Sequence, residues 1–256
     1  MRTDWGVLVE FVGLPAVGKT RLAREVKAQF EKVTWVRDSD ISPNVSTSTE
    51  KREDKHRVLT PGRYVLSEFR RAPRLSLRSF RVISGSHQPS RRYELRYFGY
   101  LLYLVGEIRR ARTYDAIYLA DQGFFQHLWR IELTGEADKV ETHNALCRLH
   151  GPVIIPDVVV FVSADHSVRM QRAKRRGTDF DPALFDPDHP LIRQDHRAFD
   201  TIREFVPKIL DDLTCETVIV DIDNSPDKLR QNVSEIVTRI EEHTIGSKAD
   251  PSEILR

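Results

Sequence analysis

Residues 6–26 read GVLVEFVGLPAVGKTRLAREV. An apolar, β-branched run passes through a glycine-containing loop straight into a helical pattern, so strand, turn and helix follow one another without a spacer. Inside the stretch, GLPAVGKT sets Gly13, Gly18, Lys19 and Thr20 on the spacing G-x-x-x-x-G-K-[ST]. The spacing has a physical purpose. Successive backbone N–H groups and the helix N-terminus face a polyphosphate, and the glycines let the backbone come close to it. Lys19 then places a point charge on the β- and γ-phosphates, and the Thr20 hydroxyl is set for Mg²⁺. The expected contacts to the bound nucleotide are Gly13, Ala16, Val17, Gly18, Lys19, Thr20 and Arg21. Pro15 has no N–H, so its neighbours must supply the cradle.

Working outward, four more short apolar runs read as strands: 33–38, 116–121, 158–163 and 217–222. Most are near-continuous hydrophobic runs, which is the pattern of strands buried on both faces of a parallel sheet. Helical patterns over 21–32, 93–112, 166–176, 195–213 and 225–243 alternate with them, predicting an α/β domain with a doubly wound sheet. Residues 39–115 separate the second and third runs, far more than a crossover needs. The expectation is therefore one domain over 1–246, an inserted region over 42–92, and a loosely ordered tail over 247–256.

Composition sets limits on function. The 256 residues carry a formal net charge of +2, are 40% hydrophobic and contain two cysteines. Cys147 and Cys215 lie far apart with no CxxC pair, against a disulfide scaffold or a structural zinc site. The N-terminus lacks the apolar core of a signal peptide, and no apolar run reaches the roughly 20 residues of a membrane span. A cytoplasmic protein with no membrane partner is the expectation.

Mg²⁺ usually draws on a carboxylate besides the loop hydroxyl. Asp121 ends the third strand run, so on a parallel sheet it emerges at the carboxyl edge beside the loop. Thr20 and Asp121 are the expected metal-side pair, although Asp121 also suits a cap before Gly123.

These features resemble the P-loop kinases of the thymidylate kinase and deoxynucleoside kinase group. VEFVGLPAVGKTRLA, YLADQGFFQHLW, PDVVVFVSADHSVRMQRAKRRG and TVIVDIDNSPDKLRQNVSEI carry the likeness, from residue 7 to about 243. The resemblance implies the three-layer P-loop NTPase fold, with a five-stranded parallel sheet in the order 2-3-1-4-5 and helices on both faces. It also implies a lid, here 169–194, whose Arg172 and Arg176 reach the transferring phosphate. Independently of the family, Arg169, Arg172 and Arg176 share a helix face, a positive stripe that suits a visiting anion or pairing with Asp179, Asp181 and Asp186. The family commonly has arginine after the strand-three carboxylate, whereas this chain has Gln122. Arg130 and Arg96 are the arginines that could stand in for it.

The acceptor is read from two places. Asp38 and Asp40, in RDSDIS, lie at the end of the second strand, where a carboxylate can take the proton of an attacking hydroxyl; they equally suit turn caps before Pro43. Between 51 and 112 basic residues outnumber acidic ones and aromatics are interleaved, which suits an anionic acceptor and base stacking, or a core-facing helix over LRYFGYLLYLV. The sequence thus predicts a kinase using ATP and Mg²⁺, with Lys19, Asp38 or Asp40, Asp121, Arg172 and Arg176 as its catalytic groups and a nucleoside or nucleotide as acceptor. Missing an NKxD-like guanine reader, it favours adenine. A polynucleotide end or nucleic-acid base, a small metabolite or antibiotic hydroxyl, and a non-catalytic nucleotide-binding regulator are the rival readings. A nucleic acid and a second copy of the chain complete the candidate partners.

Overall fold

A computed structural model describes residues 6–30, 36–38, 65–113, 116–135, 139–175 and 190–248. β1 (Val7–Val12) is buried at all six positions, and β4 (Val158–Ser163) at all but its last. β3 (Ile117–Ala120) is buried throughout. Strands covered on both faces leave no room for alternation, which is why these runs are near-continuously apolar, Glu10 in β1 being the exception. β5 (Val218–Asp223) differs: Val220 and Ile222 point inward while Asp221 and Asp223 are exposed, as befits the sheet edge. β2 (Val36–Asp38) completes the sheet. Among the described residues the strands lie in the order β2-β3-β1-β4-β5, every neighbouring pair parallel. β1 is central, with Glu10 opposite Ala120 on one side and Val159 on the other.

The helices cover this sheet. α1 (Lys19–Phe30) buries Leu22, Ala23, Val26 and Phe30, one face at helical spacing, and packs against α8 (Leu229–Lys248). α4 (Phe124–Thr134) packs on β1 and against α3 (Arg91–Ala111) and α7 (Pro190–Asp212). α2 (Pro73–Gly85) and α5 (Lys139–His150) pack against each other, and α2 also against α3. Pro73 opens α2 at a position where its missing N–H has no helical partner to lose. α6 (His166–Arg175) follows β4. Residues 65–92 of the expected insertion are largely helical, residues 65–71 and then α2; its earlier part lies outside the described residues. The helices over 73–85, 124–134 and 139–150 were absent from the sequence expectation. Both cysteines are free, Cys147 being buried.

A buried ion pair fixes the amino edge of the sheet. Arg112, just after α3, meets the Asp157 carboxylate and donates to the carbonyls of Gly6 (3.0 Å) and Ile155 (2.7 Å). The same carboxylate accepts from the Leu8 N–H at 2.7 Å. The pair thus ties the starts of β1 and β4 together and gives both buried charges partners, although the Arg112 Nε has none among the described residues.

Candidate active site

The loop after β1 lies at the carboxyl edge of the sheet. Ala16 takes φ 63° and Gly18 φ 98°, both left-handed, and this turns the chain so that α1 can begin at Lys19. At Gly18 a Cβ would also stand 2.6 Å from Asn224 Nδ2 and 3.2 Å from an Arg172 guanidinium nitrogen, so only glycine fits. The loop is braced from three sides. Gly13 N–H donates to Gln126 Oε1 at 2.9 Å from α4. The Val17 carbonyl accepts from Arg172 on α6 at 2.5 Å and from Asn224 after β5 at 2.7 Å. The Pro15 carbonyl accepts from Arg169 Nε at 3.1 Å.

Lys19 Nζ bonds the loop carbonyls of Gly13 and of Leu14, the latter at 3.2 Å. Burial lowers its ammonium to about 7, opposed by the charge of Asp121 and assisted by the nearby Arg130 and Arg169. Thr20 Oγ1 donates to Asp121 Oδ2 at 2.9 Å. Those two residues are 101 positions apart in sequence, and β3 beside β1 brings them together. Asp121 sits just past β3, where the chain leaves the carboxyl edge. The hydroxyl and carboxylate are hard oxygen donors next to a phosphate-binding loop, the donor set that Mg²⁺ takes, completing its shell with water and substrate phosphate.

Further charges converge from the helices. Arg130 donates to Gln122 Oε1 and stands 5.6 Å from the centroid of the Tyr100 ring, while Tyr100 donates to the Gln122 carbonyl at 3.1 Å. Arg130 thus brings a cation beside Gln122 from eight residues further along the chain. Asp195 on α7 is buried, which raises its carboxyl to about 6 against the pull of Arg169 and Lys19. Arg169 is only 2% exposed, which excludes the solvated-face reading for it; it donates to His196 Nε2 at 2.9 Å. Tyr100 faces this cluster, whereas Tyr97 packs into the core.

Glu10 sits in the middle of β1 at 1% exposure. α4 begins at Gly123 with no side-chain cap from its own chain segment, and the Glu10 carboxylate takes that place, accepting the Gln126 N–H at 2.7 Å. A Cβ on Gly123 would lie 2.5 Å from the Glu10 carboxyl carbon, so the close approach needs glycine. Burial lifts Glu10 to about 7, and the N–H groups of Gln126, Phe125 and Phe124 pull it back down. Glu10 therefore seats the first turn of α4, and that turn carries the Gln126 side chain to Gly13.

Of the expected site residues, the structure gathers Gly13, Ala16, Val17, Gly18, Lys19, Thr20, Asp121 and Arg172. Arg21 is exposed on α1 and lines a cleft of about 540 Å³ between α1 and α8 with Glu25 and Arg230. Arg172 is held by the carbonyls of Val17 and Asn224 (2.7 Å), so here it braces the loop. Asp38 pairs in register with Leu119, two residues before Asp121, which puts its backbone on the same sheet edge. Asp40 and Arg176 lie outside the described residues. Glu10, Gln126, Asp195 and Asn224 were not foreseen; an acid inside the run VLVEFV was the one available signal.

No family model and no curated protein matches the chain. Among solved structures, deoxyadenosine kinase from M. mycoides matches, once with bound dCTP and once with the products dCMP and a flexible dCDP. Each match covers 92% of this chain and 100% of that one, at 10% identity and a TM-score of 0.42. Among the described residues no helix is long and apolar enough to cross a membrane.

Proposed function

We propose that the chain is a P-loop kinase that moves the γ-phosphate of ATP to a hydroxyl or phosphate of a nucleoside or nucleotide, on the three-layer fold with five parallel strands in the order 2-3-1-4-5. The single observation that carries this reading is the Thr20–Asp121 hydrogen bond, 2.9 Å, set beside Lys19 on the loop. A loop that merely turned a corner has no use for a carboxylate brought from another strand to its threonine.

In this reading the loop N–H groups and the Lys19 ammonium hold the triphosphate. An arriving phosphate gives Lys19 a better partner than the carbonyls of Gly13 and Leu14, and restores the full charge that burial weakens. Thr20 and Asp121 would hold Mg²⁺, which when bound neutralises charge on the β- and γ-phosphates. Arg130, standing over Tyr100 and next to Gln122, orients the anionic part of the acceptor. Asp38 or Asp40 takes the proton of the attacking hydroxyl, and Arg172 and Arg176 belong to a lid over 169–194 that keeps water out.

The test is a panel of nucleosides, nucleoside monophosphates, small alcohols and oligonucleotides incubated with γ-labelled ATP and Mg²⁺. The reading expects label on a nucleoside or nucleotide, and loss of that label in Asp121→Asn. ATP that binds while no acceptor is labelled would favour the regulator; no ATP binding at all overturns the proposal.

A further inference from the structure

A shallow, largely open groove of about 480 Å³ between α2 and α5 is lined by Arg78, Arg81, Val82, Ala145, Arg148 and Leu149. Ser79 Oγ and His150 Nε2, 2.9 Å apart, join the two helices beside it. His150 leads through Gly151–Ile154 into the start of β4, so the groove lies toward the amino edge of the sheet, opposite the Lys19 loop. It is therefore not a part of the candidate active site.

The charged residues that line the groove are all arginines. On α2, Arg74, Leu77, Arg78 and Arg81 fall on one exposed face at i, i+3, i+4 and i+7, with Leu77 half exposed. Arg71, just before α2, and Arg91 and Arg92, at the start of α3, are also exposed, and none of these six arginines forms an ion pair among the described residues. Across the groove Arg148 contacts Asp212 at 3.1 Å, an exposed pair that an incoming anion can exchange at little cost. From 65 to 113 every basic side chain apart from histidine is arginine. Arginine's planar fork matches phosphate oxygens two at a time, which lysine cannot do.

We propose that this groove binds a single nucleic-acid strand, with Arg78, Arg81 and Arg148 on backbone phosphates and the floor of Val82, Ala145 and Leu149 beneath a base. Its volume is that of a small-ligand site, roughly 300–1,000 Å³, which admits a nucleotide or two. A positively charged groove that tracks the backbone is the part of this arrangement by which proteins hold single strands without reading sequence; here the floor is aliphatic, so the arginines supply most of the affinity.

The experiment is fluorescence anisotropy of a labelled single-stranded oligonucleotide, in RNA and DNA versions, titrated with the full chain from about 50 mM salt upward. Wild type is expected to bind with an affinity that falls steeply with salt. Arg78→Ser/Arg81→Ser should lower that slope by about 1.4, at about 0.7 per phosphate contact, with an unchanged melting temperature. Lys19→Ala should bind the strand as wild type does, since the loop is elsewhere. Absence of binding near 50 mM salt, or a slope unchanged in the double variant, overturns the proposal. So does loss of strand binding in Lys19→Ala, which would put the strand in the loop site, and so does capture of phosphatidylserine vesicles with no binding of the oligonucleotide.

Discussion

Glu10→Gln isolates the buried carboxyl on which the loop's support depends. The native state holds the Glu10 proton up to about 7, from an ordinary 4.5, because burial penalises the ion. An unfolded chain releases that proton near its ordinary value. Stability from this group is therefore complete below about 4.5 and is lost as the pH rises through about 7. At about 1.4 kcal/mol per pH unit, the gap amounts to about 3 kcal/mol at most. Glutamine keeps an oxygen for the Gln126 N–H but has no proton to lose, so any packing penalty it brings is a constant offset. Urea unfolding of both proteins at several pH values between 5 and 8 should show Glu10→Gln gaining on wild type by up to about 3 kcal/mol over that range, or about 6–12 °C in Tm at roughly 2–4 °C per kcal/mol. Parallel pH curves would refute the argument, because they would mean that the carboxyl ionises in the fold as easily as in water.

Arg112→Met leaves Asp157 buried without its cation and the carbonyls of Gly6 and Ile155 without a donor; we expect a loss of about 3–5 kcal/mol, read by chemical denaturation. Gly18→Ala forces a side chain into a left-handed position against Asn224, and should abolish ATP binding in calorimetry while the fold persists by circular dichroism. Asp121→Asn keeps a hydrogen-bonding partner for Thr20 but loses the charge, so Mg²⁺-dependent phosphate transfer should fall by about 100-fold or more with ATP affinity measured without metal little changed. Arg130→Met should raise the KM for an anionic acceptor more than that for ATP; an equal rise for both would detach Arg130 from the acceptor.

The sequence alone determined what is local. The strand–loop–helix order, the Gly, Lys and Thr spacing, and the parallel α/β character are set by neighbouring residues and by hydrophobic runs, since burial on two faces leaves its mark within a few positions. α4 escaped notice for the converse reason: Phe124 through Trp129 are all buried, so no polar stripe betrays a helical period. Only the tertiary structure decided who stands next to whom. Thr20 meets Asp121, Gly13 meets Gln126, and Val17 meets both Arg172 and Asn224 because strands distant in sequence lie side by side in register. Hydrophobic periodicity tells each strand to be buried and says nothing of its neighbour, so contacts across strands carry no local signature. Glu10 joins the two levels: its presence in an apolar run is legible from the sequence, but the helix end that it caps exists only once the sheet has formed.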